Sequence, residues 1–553
     1  MTPSTALHTF AERFLAAYFD AHPTVASGTL GLHEYDGRVP DLSRAATERR
    51  AADLRLALDE IRAIDDAQLE PVDWLDYQLL RDAIQFELFD LTEWRRWQHD
   101  PQTYLAAMEV DGYIKRNYAP LPVRVRALVN HMTGFPRLVT AAKANLRAVP
   151  APVIETAVEI LEGALAFLAE DLPQELSALQ ASHLALYTDL EAAQTIALEA
   201  GRDLLTHLND VLAPQSPAEF AIGADAFSKM LRYGEAVDLP LERLLEIGET
   251  NLARNKAAFV ETAARIDPAQ SPTEVAQQLT REHPTAEALI PDTQAMLQEL
   301  RQWIIDHEIV SVPTDDLCVV AETPRFWRWA FAMMDTPGPF EQVARESFYY
   351  VTPPEPDWPP EKQEEWLTAF DYHSLRATSI HEAWPGHFLN DLHFRNAPSR
   401  VSKVFSAYSF WEAWAMYCEQ MLLEQGYRAG DDKLRLAQLM SALLRDVRYV
   451  CAIRMHTAGM TVEQATQRFI DDAFMQATPA RAEAMRGAFD PQYLNYTLGK
   501  LMLLKLRDDY RAAAQQGSTF DLRTFHDNFL AWGGPPLPYL RRLLLQHDDG
   551  AIL

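Results

Sequence analysis

Apolar residues recur along this chain at helical spacing, and proline-bearing breaks interrupt the pattern about once per helix length. Between Pro152 and Glu170 the residues Ala157, Val158, Leu161, Leu165 and Leu168 fall on one stripe, while Glu155, Glu159, Glu162 and Glu170 lie away from it. Similar stripes run around 50–63, 185–212, 241–265, 287–308, 436–456 and 496–515. The breaks fall at 149–152, 213–217, 311–314, 335–339 and 352–360. Strand signals are few: AIGADAF near 221–227 and SFYYV at 347–351 read as short extended pieces. No repeat of fixed period and no low-complexity tract stands out. The expected fold is therefore all-α, a large multi-helix body with a central cleft or channel and very little β-structure. At 553 residues the chain exceeds the roughly 250–300 at which single cores stop growing. Residues 1–310 are expected to form one side of the cleft and 311–553 the catalytic part, joined as one continuous structural unit. The proline cluster at 352–360 is either a boundary or a loop at the cleft rim.

Charge narrows the partners. The formal net charge is −29, which repels nucleic acid and anionic membranes. No run of about 18 apolar residues is present, so no membrane span is expected. The three cysteines, Cys318, Cys418 and Cys451, are far apart and form no C-x-x-C pair. That excludes a disulfide framework and a cysteine zinc site, and it suits a reducing compartment. The N-terminal stretch carries Glu12, Arg13 and Asp20 and does not read as a signal peptide. The cytoplasm is the expected location.

One short stretch carries chemistry: HEAWPGHFLNDLH, from His381 to His393. It begins like the H-E-x-x-H helix of zinc hydrolases, but the position four residues on is Pro385 and the next histidine is His387. A helix turns roughly 100° per residue, so six residues leave two side chains roughly 120° apart. His381 and His387 can share a metal only if the helix bends or restarts between them. Pro385 and Gly386 supply the means, one by lacking an amide hydrogen and the other by its backbone freedom. A catalytic zinc wants three protein ligands and an open position. Glu412, in SFWEAWAMYCEQM among Phe410, Trp411 and Trp414, is a carboxylate in an apolar neighbourhood that wants a cation. It completes the set His381, His387, Glu412, with Glu382 as the general base that takes a proton from the activated water. Other readings stand beside this one. A glutamate in an aromatic helix commonly pairs with arginine, and His387 with Asp391 is a ligand pair of true four-residue spacing. His393 reads as a surface residue.

HEAWPGH followed by WEAWAMYCEQMLLEQGY resembles the H-E-x-x-P-G-H and E-G-W-A-x-Y-x-E pattern of the bacterial "domain of unknown function 885" proteins. The opening segment HPTVASGTLGLHEYDGRVPDLS and the C-terminal blocks RMHTAGMTVEQA, YLNYTLGKLMLLKLRDDY and FHDNFLAWGGPPLPYL are similar to that family too. The resemblance implies a largely helical fold, distantly similar to zinc peptidases with a deep central channel such as the thimet oligopeptidase and thermostable carboxypeptidase groups. It implies that His381, His387 and Glu412 hold Zn2+ and that Glu382 is the base. Two positions depart from the pattern: Ala413 stands in place of Gly, and Ala452 in place of the Asp four residues before His456.

Hydrolysis of an amide also needs a donor to the tetrahedral oxyanion. His456 and Tyr496 are the candidate catalytic donors, and Tyr493 is a candidate near the substrate, although a tyrosine in an apolar helix is commonly core. Of Arg445, Arg448 and Arg454, one could clamp a substrate carboxylate, with Arg448 the named candidate. The plainer alternative is pairing with local acids such as Asp446. Trp384 could wall a pocket or simply pack. Three functions follow: a zinc-dependent metallopeptidase acting on short peptides, a metal-dependent amidase acting on a non-peptide small molecule, and a metal-free helical binding protein. Manganese, cobalt or iron would also suit the ligand set.

Overall fold

Helices make up most of the chain, and a single three-stranded sheet is the only extended structure among the described residues. The structure is a computed structural model that describes residues 2–217, 219–324, 331–514, 519–545, 548 and 550–553. The apolar stripes became helices: Arg44–Arg62, Ala151–Ala166, Leu184–Thr206, Leu241–Ile266, Leu289–Asp306, Asp432–Thr457 and Asn495–Ala514. None of the described helices is long and apolar enough to cross a membrane.

The chain divides into two units. The first comprises 1–222 and 337–345, and the second 223–336 and 346–553. In the first unit the helix Leu184–Thr206 buries Leu190, Ala193, Ala197 and Leu204, and it packs on Leu121–Thr133 and Phe135–Asn145. The short return 337–345 is fastened within this unit, where Phe340 N–H donates to Leu30 O (3.0 Å) and His33 Nε2 meets Glu341 Oε2 (2.8 Å). The proline break at 335–339 carries a crossing between units, whereas 352–360 lies inside the second.

The second unit holds the HEAWPGH stretch and Glu412. Its largest helix pair is Tyr408–Glu424 against Asn495–Ala514. They approach closely because Gly499 has no side chain: a Cβ there would sit 2.3 Å from Ser409 O. The helix Leu241–Ile266 packs on Asp432–Thr457, and buried Asp446 joins them by accepting from Asn251 Nδ2 (2.8 Å) and Asn255 Nδ2 (2.7 Å). The sheet has the order β1 (Cys318–Glu322), β3 (Ser347–Val351), β2 (Ala332–Asp335). β1 runs parallel to β3 with Val320 opposite Tyr349, and β2 runs antiparallel with Met334 opposite Tyr349. SFYYV is thus the central strand. The other expected extended piece is not one: Gly223 has φ +84° and a helix starts at Ala224. Phe227, Met230 and Leu231 are all buried, so a helical stripe that continues past 227 overrode the short run. All three cysteines are buried and free, and burial pushes the Cys451 thiol up to about 12.

Candidate metal centre

The motif helix Tyr372–Glu382 begins at Asp371, whose carboxylate accepts from the backbone N–H of His373 (3.0 Å) and Ser374 (2.9 Å). It buries Leu375, Ala377 and Ile380, and it ends with His381 and Glu382. A new helix, His387–Phe394, starts straight after Gly386. Between the two the backbone folds back on itself: Gly386 N–H donates to Ile380 O (3.0 Å), and Trp414 Nε1 donates to Pro385 O (2.6 Å). A Cβ on Gly386 would fall 1.7 Å from His381 O, so only glycine fits this fold-back. The two histidine rings meet edge to face with centroids 4.9 Å apart. The spacing that disallowed a shared ion on one straight helix is resolved by making two helices.

Glu412 comes from the neighbouring helix Tyr408–Glu424. One ligand atom from each of His381, His387 and Glu412 lies within 4.8 Å of the others. Glu412 Oε2 is 3.5 Å from His381 Nε2 and 3.6 Å from His387 Nε2. Two donors bound to one zinc at 2.0–2.2 Å sit roughly 3.3–3.6 Å apart in tetrahedral geometry. Glu412 Oε2 is buried with no hydrogen-bond partner. A buried, orphaned carboxylate oxygen facing two imidazole nitrogens at that separation fits a divalent cation. Among the described residues no arginine pairs with Glu412, and Asp391 pairs with Arg395 (2.7 Å) while His387 groups with His381 and Glu412.

His381 is held from behind. Its Nδ1 meets Glu419 Oε1 at 2.8 Å, which leaves Nε2 for the metal side. Burial alone would lower the His381 pKa, but the Glu412 and Glu419 carboxylates outweigh it and raise it to about 9. Burial likewise works against the Glu412 carboxylate, and the adjacent His387 and His381 hold it well below the ordinary range. Both shifts follow from buried carboxylates that favour positive charge beside them.

Glu382 is half-buried and opens onto a cavity of about 620 Å³ that the three ligand residues also line. Met333 and Met334 of the edge strand β2 form part of its wall. Tyr496, Arg445, Arg448 and Arg486 line it as well. Tyr496 stands edge-on to Tyr408 (5.6 Å), with Arg448 at 5.2 Å from its ring centre. Arg448 is forked onto Glu483, both bonds 2.7 Å.

Two expected site residues lie away from the cavity. His456 is 1% exposed, donates from Nε2 to Gly487 O (2.7 Å) and stacks on Phe227. Tyr493 is fully buried, with its hydroxyl directed at Met455 Sδ (3.9 Å). Arg454 pairs with Glu249 (2.9 Å). Trp384 packs edge-on against Phe388 under Arg301 and is not among the cavity's described wall residues. His393 is half-buried against Ser311 O (2.8 Å) rather than a free surface residue. Glu419 was within reach of the sequence, since seven residues return Glu412 and Glu419 to one helix face. Arg486 and the β2 methionines carry no local signal that ties them to the motif.

A family model described as "Bacterial protein of unknown function (DUF885)" matches residues 23–544. Two solved structures share the fold. One is a candidate lipoprotein of unknown function from Shewanella oneidensis, 24% identical, with a TM-score of 0.82 over 98% of this chain and 100% of that one. The other is a candidate lipoprotein from Colwellia psychrerythraea, 17% identical, with a TM-score of 0.83 over 98% of this chain and 99% of that one. At these identities the likeness is one of fold. No curated protein sequence matches the chain.

Proposed function

The chain belongs to the DUF885 family of bacterial proteins, and we propose that it is a zinc-dependent hydrolase that cleaves peptide bonds in short peptides. One observation carries the reading: His381, His387 and Glu412 converge around an orphaned carboxylate oxygen, with Glu382 beside them on an open cavity. His381, His387 and Glu412 would hold a divalent ion, which would supply Lewis-acid chemistry for polarising a carbonyl and acidifying water. Glu382 accepts the proton of the attacking water and delivers it to the leaving amine. The Tyr496 hydroxyl donates to the developing oxyanion. Peptides are favoured over other amides because β2 is an edge strand at the cavity wall, and an edge strand offers main-chain groups to an extended peptide.

The test is metal content by mass spectrometry on zinc-supplied wild type, His387→Ala and Glu382→Gln, together with turnover of a short-peptide mixture. Wild type is expected to hold about one zinc per chain and His387→Ala almost none. Glu382→Gln is expected to keep the zinc and lose roughly 10²–10⁴ in rate. A wild type that takes up no metal would sink the hydrolase reading and leave a binding protein. Zinc-loaded protein that cleaves acylated amines and no peptide would make it an amidase. We further propose the cytoplasm as its location, since all three thiols are free and buried. Recovery of the native protein in a membrane or periplasmic fraction would overturn that.

A further inference from the structure

Three guanidinium groups line the metal-site cavity of a chain that has 79 acidic and only 50 basic residues. Two of them are already matched. Arg448 is forked onto Glu483, and Arg486 bonds Asp490 Oδ2 from Nε (3.2 Å) and Nη2 (3.1 Å). Arg445 is different. Its Nη1 is held by Ser441 Oγ (2.5 Å) and Ser441 O (3.2 Å), both neutral. Its Nε is buried without a partner, and among the described residues no carboxylate forms an ion pair with it. The Tyr496 ring centre lies 5.8 Å from the guanidinium carbon. The Glu419 and Glu483 carboxylates act on it electrostatically from beyond ion-pair distance. A guanidinium that is anchored at one nitrogen by neutral groups, lies beside an aromatic ring and has no hydrogen-bonded carboxylate is open to a planar anion.

We infer that Arg445 binds a carboxylate of the substrate, so that the site selects peptides bearing a free acid near the scissile bond. The cavity, at about 620 Å³, falls in the size range of small-molecule sites and suits a ligand of a few residues. The acid is either the C-terminal carboxylate or an acidic side chain, which share the same fork chemistry. The scissile bond belongs to the hydrolase reading above, but carboxylate binding itself does not depend on it.

The experiment is calorimetric titration of the full chain, both zinc-loaded and chelator-treated, with three blocked dipeptides. These are N-acetyl-Ala-Ala with a free carboxylate, the same peptide as its C-terminal amide, and N-acetyl-Asp-Ala amide. Chelator-treated wild type is expected to bind at least one of the two acids at least tenfold tighter than the neutral amide. Arg445→Gln should reduce that preference below twofold, and Arg445→Lys should restore part of it, with circular dichroism unchanged. Tight binding of the aspartyl amide would assign the carboxylate to a side chain, and weak binding would assign it to the C-terminus. Wild type that binds neither acid more tightly than the neutral amide would overturn the inference, even in a protein that binds zinc and hydrolyses peptides. So would an acid preference that appears only with zinc and survives Arg445→Gln, since the ion would then be the anion's partner. An acid preference in a protein that takes no zinc would keep Arg445's role while the hydrolase reading failed.

Discussion

His381 does two jobs with one ring, and the second depends on Glu419, the last position of the E-G-W-A-x-Y-x-E pattern. Nε2 faces Glu412 while Nδ1 is pinned by Glu419. A carboxylate behind a ligand histidine fixes its tautomer and raises its basicity. Glu419→Gln keeps an acceptor for Nδ1–H but removes the charge. Zinc affinity is expected to fall by roughly 10–100-fold, measured by competition with a chromophoric chelator. Unchanged affinity would mean that packing alone orients the ring. His381, His387 and Glu412 are legible in the sequence because imidazole and carboxylate groups are donor types a metal takes, with Pro385-Gly386 offering the break that their spacing needs, and Glu382 because it adjoins His381. Glu419 shares a face with Glu412 by periodicity, yet the atom it contacts depends on how two helices meet.

The element that makes the site is the break between two helices. Proline at 385 ends the first, and glycine at 386 lets the second start against it. Gly386→Ala places a methyl group where His381 O already sits. The backbone of the ligand histidine must move, at a cost of about 1–3 kcal/mol or more, and His387 loses its approach to Glu412. Zinc stoichiometry well below one, with a lowered melting temperature, is the expected result. A variant that binds zinc like wild type would show that the fold-back tolerates a side chain. The helix Asp432–Thr457 shows where periodicity stops being informative. Arg445 and His456 are eleven residues apart, about three turns, and so share a face. That spacing also separates them by roughly 16 Å along the axis. Arg445 reaches the cavity, and His456 ends against Gly487 and Phe227. Tyr493 and Tyr496 are parted similarly, because Tyr493 lies in the 3-10 turn Pro491–Leu494 and Tyr496 in the helix that follows.

At the scale of the whole molecule, folding is tied to pH by groups far from the motif in sequence that pack against the helix carrying Glu412. His526 is buried and neutral: Nδ1–H donates to Ile309 O (2.7 Å), Tyr417 OH meets Nε2 (2.8 Å), and burial pushes its pKa from 6.5 down to about 4. Between those values the unfolded chain takes a proton that the folded chain refuses, so this stability is whole above pH 6.5 and is lost as pH falls through 4. Glu235 acts in the opposite sense. Burial raises it from 4.5 to about 7, against the opposing Ser409 N–H bonds, so its contribution is present below 4.5 and is lost as pH rises through 7. Each shift corresponds to ~3 kcal/mol. Relative to wild type, His526→Gln should therefore shed its disadvantage as pH falls from 7 to 4. Glu235→Gln should gain stability as pH rises from 4.5 to 7. Urea unfolding at several pH values checks both, and differences independent of pH would show that these groups titrate normally in the fold.

Local sequence accounts for the helical class, the places where helices stop and the set of residues able to hold a cation. Those are consequences of 3.6-residue periodicity, of proline and glycine, and of side-chain chemistry, all expressed within a few residues. Packing alone brings His387 to Glu412, sets Glu419 behind His381, leaves Arg445 with no ion-paired carboxylate among the described residues and turns His456 away from the cavity. Each of these depends on the distance and rotation between helices far apart in the chain, which packing sets and no local pattern records.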